Sequence, residues 1–251
     1  MFISDRIVFI ELHKTGCTHI GHLLGQLLVG EQVLKHNRAT PELFDGTKSF
    51  IGSIRNPWDW YVSLWAYGCD GQGAVQGSVT ADRGPGENGA VANAERWRRS
   101  YQDVTDADGF RDWLAMINDD RYCRDVGEAY GKRPLDNHAG LMTHRYVNLF
   151  CLGDGMQVGT AEQLKAFERQ HCYIDQFIRN ETLESDLLQA LARSGVAVTE
   201  SMKAVVHGAG RTNTSSRTRP ASFYYDEATL QLVARREQFI IEKFGYLGPA
   251  D

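Results

Sequence analysis

"FIELHKTGCTHIGHLL", residues 9–24, carries the reading of the fold. It opens in an apolar run, "RIVFIEL" (6–12), that is β-branched and apolar on both faces, the pattern of a buried parallel strand. From Thr18 onward Ile20, Leu23, Leu24, Leu27 and Leu28 recur at helical spacing. The turn between them, His13-Lys14-Thr15-Gly16, therefore leads from strand to helix. Such a turn presents unpaired backbone N–H groups at the positive end of the helix dipole and suits a phosphate or sulfate. Lys14 adds a mobile full charge, Thr15 and Thr18 add hydroxyl donors, and Gly16 lets the backbone approach an anion closely. The spacing is not that of a nucleoside-triphosphate loop, in which the lysine follows the second glycine. Here Lys14 precedes Gly16, and Glu11 and His13 stand upstream.

A second stretch supplies a partner. "KSFIGSIR" (48–55) reads as a strand that stops at Asn56-Pro57, and "WDWYVSLWAY" continues as a helix with proline at its first position. Arg55 thus falls at the carboxyl end of a strand, where open parallel sheets form their ligand crevice. Ser63 follows eight residues on. An arginine fork and a hydroxyl together can hold a phosphate at two points.

Outward from these motifs, "QVLKH" (32–36) reads as a short strand and "CYIDQFIRNE" (172–181) as another. Residues 106–119 and 160–170 read as helices, as does "TLESDLLQALARS" (182–194), with Thr182 and Ser185 as competing caps. Residues 226–246 read as one long amphipathic helix closed by Gly245. Residues 68–89 hold seven glycines and few large apolar side chains, the composition of a mobile loop beside a site or of a surface insertion. Strands alternating with helices predict an α/β fold, a mostly parallel sheet with helices on both faces, in a single domain spanning 1–251, and the strand–turn–helix at Lys14 makes the expected fold P-loop-like.

Charge narrows the ligand. The formal net charge of −5 does not favour an anionic polymer, so nucleic acid is not expected as a partner and an anion must be caught by local cations. Five cysteines, scattered without a CxxC pair, argue against a disulfide framework and a zinc site and suit a reducing compartment. The apolar run near Met1 is too short for a signal segment or a membrane span, which predicts a cytoplasmic protein.

Taken together, "HKTGCT" and "IRNPWDWYVS" resemble the 5′-phosphosulfate loop and the 3′-phosphate motif R-[ND]-P-x-x-x-x-x-S of the sulfotransferase superfamily, whose donor is 3′-phosphoadenosine 5′-phosphosulfate (PAPS). "IDQFIRNETLESDL" (174–187) and the ending "NTSSRTRPASFYYDEATLQLVARREQFIIEKFGY" (213–246) are similar to segments of its carbohydrate-type branch. The resemblance covers both ends of the chain, and residues 68–160 carry little of it. It implies an enzyme that moves a sulfuryl group from PAPS, without a metal, to a hydroxyl of a carbohydrate or glycosylated small molecule. Lys14 is then assigned to the 5′-phosphate and the transferring group. Thr15, Gly16, Cys17 and Thr18 supply loop contacts, and Arg55 and Ser63 take the 3′-phosphate. One of Arg211, Arg217 and Arg219 joins them, with Arg217 the choice. Cys17 and Trp60 depart from the residues common at their positions in the family. Cys17 reads either as a small packing residue or as a thiol activated by the helix N-terminus.

Sulfuryl transfer to an alcohol needs a base for the acceptor proton. His36, which ends a candidate strand between the two phosphate motifs, is the first choice. The family places a histidine at a similar point. Glu11 either faces the crevice or pairs with a neighbouring cation, and His138 and His144 are candidates for the acceptor site. Trp58, Trp60 and Trp65 read as core or as a platform for adenine. Two rival readings are a P-loop small-molecule kinase and a silent nucleotide-binding module.

Overall fold

A computed structural model describes residues 1–81, 93–153, 155–210 and 216–249. The chain divides into two compact units, one of residues 1–56, 145–154 and 166–214, the other of residues 57–144, 155–165 and 215–251.

The first unit holds a five-stranded sheet. Its strands are β1 (Phe2–Ser4), β2 (Ile7–Ile10), β3 (Gly30–Gln32), β4 (Ser49–Ile54) and β5 (Gln176–Arg179), in the order β3-β1-β2-β4-β5. β2, β4 and β5 are parallel, with Ile10 opposite Gly52 and Ile54 opposite Arg179. The sheet is mixed, not wholly parallel: β1 pairs antiparallel with both β2 and β3. The cause is local. Only Asp5 and Arg6 separate β1 from β2, and a connection that short closes an antiparallel hairpin. Ser4 Oγ fixes the turn by accepting from the Arg6 and Ile7 N–H groups at 3.2 and 3.1 Å.

All four residues of β2 are fully buried, as its apolar run on both faces requires. One face of the sheet is covered by α1 (Cys17–Leu27), α8 (Leu183–Arg193) and α9 (Glu200–Gly208). Ile20, Leu23, Leu24, Leu187, Leu191 and Val206 pack there on Phe9, Ile51 and Ile178. On the other face Tyr146 and Phe150 of α6 (Leu141–Phe150) meet Phe177, and Phe150 lies against Gly52, where a Cβ would sit 3.1 Å from the ring. The α/β architecture and the flanking helices thus follow the sequence reading.

Residues 32–36 do not form the expected strand. β3 ends at Gln32, and after one further ladder bond (Val33 N–H to Met1 O, 2.9 Å) the chain turns at His36, whose φ of 58° is left-handed.

The second unit is helical: α2 (Pro57–Cys69), α3 (Ala74–Thr80), α4 (Ala94–Ser100), α5 (Ala107–Ile117), α10 (Glu227–Arg236) and α11 (Gln238–Phe244). It also takes the first residues of α6 and of α7 (Ala161–His171). Trp60, Trp65 and Trp113 are fully buried, so the tryptophans of α2 are core. Trp58 Nε1 donates to Leu230 O at 3.2 Å and Trp65 Nε1 to Ser100 O at 2.7 Å.

Two expectations are corrected in this unit. The glycine-rich stretch 68–89 contains a helix, α3, held by buried Val75 and Val79 four residues apart; residues 82–89 of it lie outside the described residues. The closing helix is broken in two at Glu237 (φ −111°, ψ 20°). The break aims the fully buried Glu237 carboxylate at the first turn of α6, where it accepts from Met142 N–H (3.1 Å), Thr143 N–H (2.9 Å), Thr143 Oγ1 (2.6 Å) and Tyr61 OH (2.6 Å). Gly245 ends α11 in the left-handed conformation, as expected.

Candidate anion-binding site

The site in the first unit is built from the carboxyl ends of β2, β4 and β5. After Ile10 the chain passes through Glu11 to Gly16 and enters α1. Lys14 and Gly16 both adopt positive φ, 61° and 79°. At Gly16 that conformation suits glycine, and space demands it as well: a Cβ there would sit 2.7 Å from Asn180 Nδ2 and 3.0 Å from Leu183 Cδ1. Among the described residues no side chain caps α1, and no acidic residue stands in its first turn. The loop is therefore curled tightly against the segment after β5, with the positive helix end at its floor.

Arg55 follows β4 directly. Its Nη1 donates to the Lys14 carbonyl at 3.1 Å, so the two residues assigned to opposite ends of one nucleotide meet at the carboxyl end of the sheet. The neighbouring Asn56 N–H donates to Glu181 Oε1 at 2.7 Å, which ties the end of β4 to the segment after β5.

The loop residues divide by exposure. Thr15 is fully buried, and its hydroxyl donates to Leu12 O at 2.7 Å and lies 2.6 Å from Ser53 Oγ. It anchors the loop to β4 and is not a side-chain donor to a ligand. Thr18 is partly exposed, and its hydroxyl accepts from Lys35 Nζ at 3.3 Å. Cys17 is buried; burial, and then the negative charge of Glu11, push its thiol up to about 11, which makes it a packing residue and not an activated nucleophile.

Two histidines pair at the loop, one of them within it. His13 and His36 stack with ring centroids 3.5 Å apart, and His36 Nδ1 lies 2.9 Å from Glu11 O. A carbonyl only accepts, so Nδ1 carries the proton of this bond and Nε2 keeps its lone pair. Burial lowers the pKa of both rings, and the positive charge of Arg145 lowers them further. Glu11 itself is withdrawn from solvent. Of the two readings open to it, pairing holds: its Oε2 accepts from the Met1 amino group at 2.9 Å and from Gln32 Nε2 at 3.0 Å.

The second unit carries a separate pair. Asp59 and Ser63 are four residues apart on α2 and share one face. Arg217 Nη2 donates to Asp59 Oδ1 at 2.7 Å, and among the described residues its buried Nη1 has no hydrogen-bond partner. Ser63 is 7% exposed. Arg219 lies over the Phe223 ring, and Arg211 falls outside the described residues.

His144 does not line an acceptor site: it is fully buried between Asp136 Oδ1 (2.7 Å) and Glu128 O (3.1 Å). His138 is partly exposed, and burial and the charge of Arg236 lower its pKa.

Lys35 and Arg145 were not anticipated at this end of the sheet. Lys35 reaches the loop because the chain turns at His36, and Arg145 arrives from a helix distant in sequence. No local pattern marks either one. Among the described residues no group of three or more His, Cys, Asp or Glu is placed to hold a metal ion, and no helix is long and apolar enough to cross a membrane. Compared with family models, with curated proteins and with solved structures, the chain finds no match in any of the three.

Proposed function

We propose that the protein is a sulfotransferase that uses PAPS and transfers its sulfuryl group to a hydroxyl, with a carbohydrate or glycosylated small molecule as the acceptor class. The observation that carries this reading is the 3.1 Å bond from Arg55 to the Lys14 carbonyl, at the carboxyl ends of parallel strands and beside an uncapped helix N-terminus. Charge-assisted donors in that position suit a doubly anionic nucleotide. The resemblance of "HKTGCT" and "IRNPWDWYVS" to the family's two phosphate motifs supplies the identity of the nucleotide.

In this reading Lys14 neutralises charge on the bridging oxygen as its bond to sulfur breaks, and the acceptor oxygen forms the new bond in line. His36 takes the acceptor proton at Nε2. The Nδ1–H bond to Glu11 O fixes the tautomer, and a lowered pKa keeps the ring neutral near pH 7, with the Nε2 lone pair able to accept a proton. Positioning and electrostatics then carry the catalysis, as they do in phosphoryl transfer. The resemblance alone assigns Arg55, Arg217 and Ser63 to the 3′-phosphate. The Arg217 Nη1, buried and without a hydrogen-bond partner among the described residues, supports an anion-binding role for it.

Calorimetric titration tests the reading. Adenosine 3′,5′-bisphosphate is expected to bind at micromolar strength and ATP with magnesium far more weakly. Arg55→Ala should erase the preference for the 3′-phosphate over adenosine 5′-phosphate. Equal affinity for the bisphosphate and ATP would favour the kinase reading, and tight bisphosphate binding without sulfate uptake by any hydroxyl acceptor would favour a silent nucleotide-binding module.

A further inference from the structure

The five cysteines include one facing pair. Cys151, just after α6, and Cys172, just after α7, form an isolated antiparallel bridge. Its flanking bonds run from Leu152 N–H to His171 O (2.8 Å) and from Tyr173 N–H to Phe150 O (3.0 Å). Cys151 and Cys172 are therefore the non-hydrogen-bonded pair of the bridge, in which opposed Cα atoms stand about 4.5 Å apart and side chains approach most closely. That separation falls within the range of about 4.4–6.8 Å that a disulfide spans. Both cysteines are free, Cys151 is fully buried, and Cys172 is partly exposed.

We propose that Cys151 and Cys172 are a thiol–disulfide exchange site, with Cys172 as the attacking sulfur, Cys151 as the resolving sulfur, and a small-molecule disulfide as the oxidant. The bridge already supplies the backbone geometry, so closure needs only side-chain rotation. A hydrogen bond from the Cys151 thiol holds Cys172 below the ordinary thiol range, while that same bond and burial hold Cys151 above it. The asymmetry matches the order of attack. Tyr146 Oη lies 3.5 Å from Cys172 Sγ and donates to Glu168 Oε1 at 2.8 Å. Burial pushes the thiols of Cys17 and Cys69 up, to about 11 and about 12, and also raises Cys123. The remaining three cysteines are thus poor competitors.

The step balances without another reagent. The Cys172 thiolate attacks one sulfur of the oxidant, that S–S bond breaks, and one small thiol leaves. Cys151 gives up its proton and attacks Cys172 Sγ, expelling the second small thiol. Two protein thiols are oxidised, the small disulfide is reduced, and their two protons end on the released thiols.

The bond would join two segments that already hold the chain next to His36. Arg38 donates to Asn148 O (3.0 Å) and Gly153 O (3.4 Å), and Tyr173 OH accepts from Ala39 N–H (3.2 Å) and donates to Leu149 O.

The full-length reduced chain, held folded in mixtures of oxidised and reduced glutathione, is acid-quenched, denatured and alkylated for mass analysis. Alkylatable thiols should fall from five to three, with a peptide linking Cys151 to Cys172, and a reductant should restore all five. A Cys151→Ser chain that keeps its native circular dichroism should stop with one glutathione on Cys172. Five thiols surviving oxidised glutathione, a different pairing, or closure only in denaturant would overturn the proposal, as would loss of two thiols from the serine variant.

Discussion

Lys14 and Arg55 were legible as single residues because each follows an apolar strand run at the end where ligands gather. Lys35 and Arg145 were not, since the bond from Lys35 to Thr18 and the charge of Arg145 near the two histidines depend on a turn and a helix that no short-range pattern reports. His36 sits between these cases: it was singled out at the end of a strand that does not form, and its tautomer was not readable. The Glu11 carbonyl fixes it, leaving Nε2 as the proton acceptor. If the proposed function holds, replacing His36 by alanine should lower sulfuryl transfer by about 10²–10⁴-fold, the usual worth of a positioned base, while adenosine 3′,5′-bisphosphate binding stays within a few-fold. Because burial holds the pKa of His36 down, the acid limb of the wild-type pH–rate profile should lie below the ordinary histidine value of about 6.5. Activity that survives in the alanine variant would pass the role to another group.

Elements with an unbroken apolar pattern were readable from the sequence. β2 and β4 stand out as apolar runs and α2, α5, α7 and α8 as apolar helical segments, and each lies within a few residues of its expected bounds. β1 is three residues long, too short to show a period, and α3 shows only Val75 and Val79 among glycines. The break at Glu237 was hidden for the opposite reason. The amphipathic pattern runs through it, and only the tertiary demand for a carboxylate at the start of α6 interrupts the helix. Removing that carboxylate leaves the Tyr61 hydroxyl and the Met142 and Thr143 donors buried without an acceptor. Glu237→Ala should cost about 1–3 kcal/mol or more in urea unfolding, the range for leaving buried donors unsatisfied. Glu237→Gln keeps an acceptor oxygen and should cost less. An alanine variant as stable as wild type would show that water satisfies these donors.

The molecule as a whole must fold around two histidines that it keeps neutral. His13 and His36 have pKa values lowered by burial, and Arg145 opposes their protonation. Above about pH 6.5 neither the folded nor the unfolded chain protonates them, so they contribute no slope. Below it the unfolded chain takes up protons that the folded chain refuses, and stability falls as pH drops. Each refused proton contributes roughly 1.4 kcal/mol per pH unit at most. The buried Glu237 acts in the other direction, because its raised pKa returns stability as pH falls toward the unfolded carboxylate value. The histidine contribution is therefore read by difference. His13→Phe keeps a ring against His36 and removes one titrating group. Urea midpoints between pH 7.5 and pH 5 should decline less steeply in that variant than in wild type, by up to one proton's slope. Parallel declines in the two proteins would mean that His13 protonates as readily when folded as when unfolded, and that the closed packing around the stacked pair opens in solution.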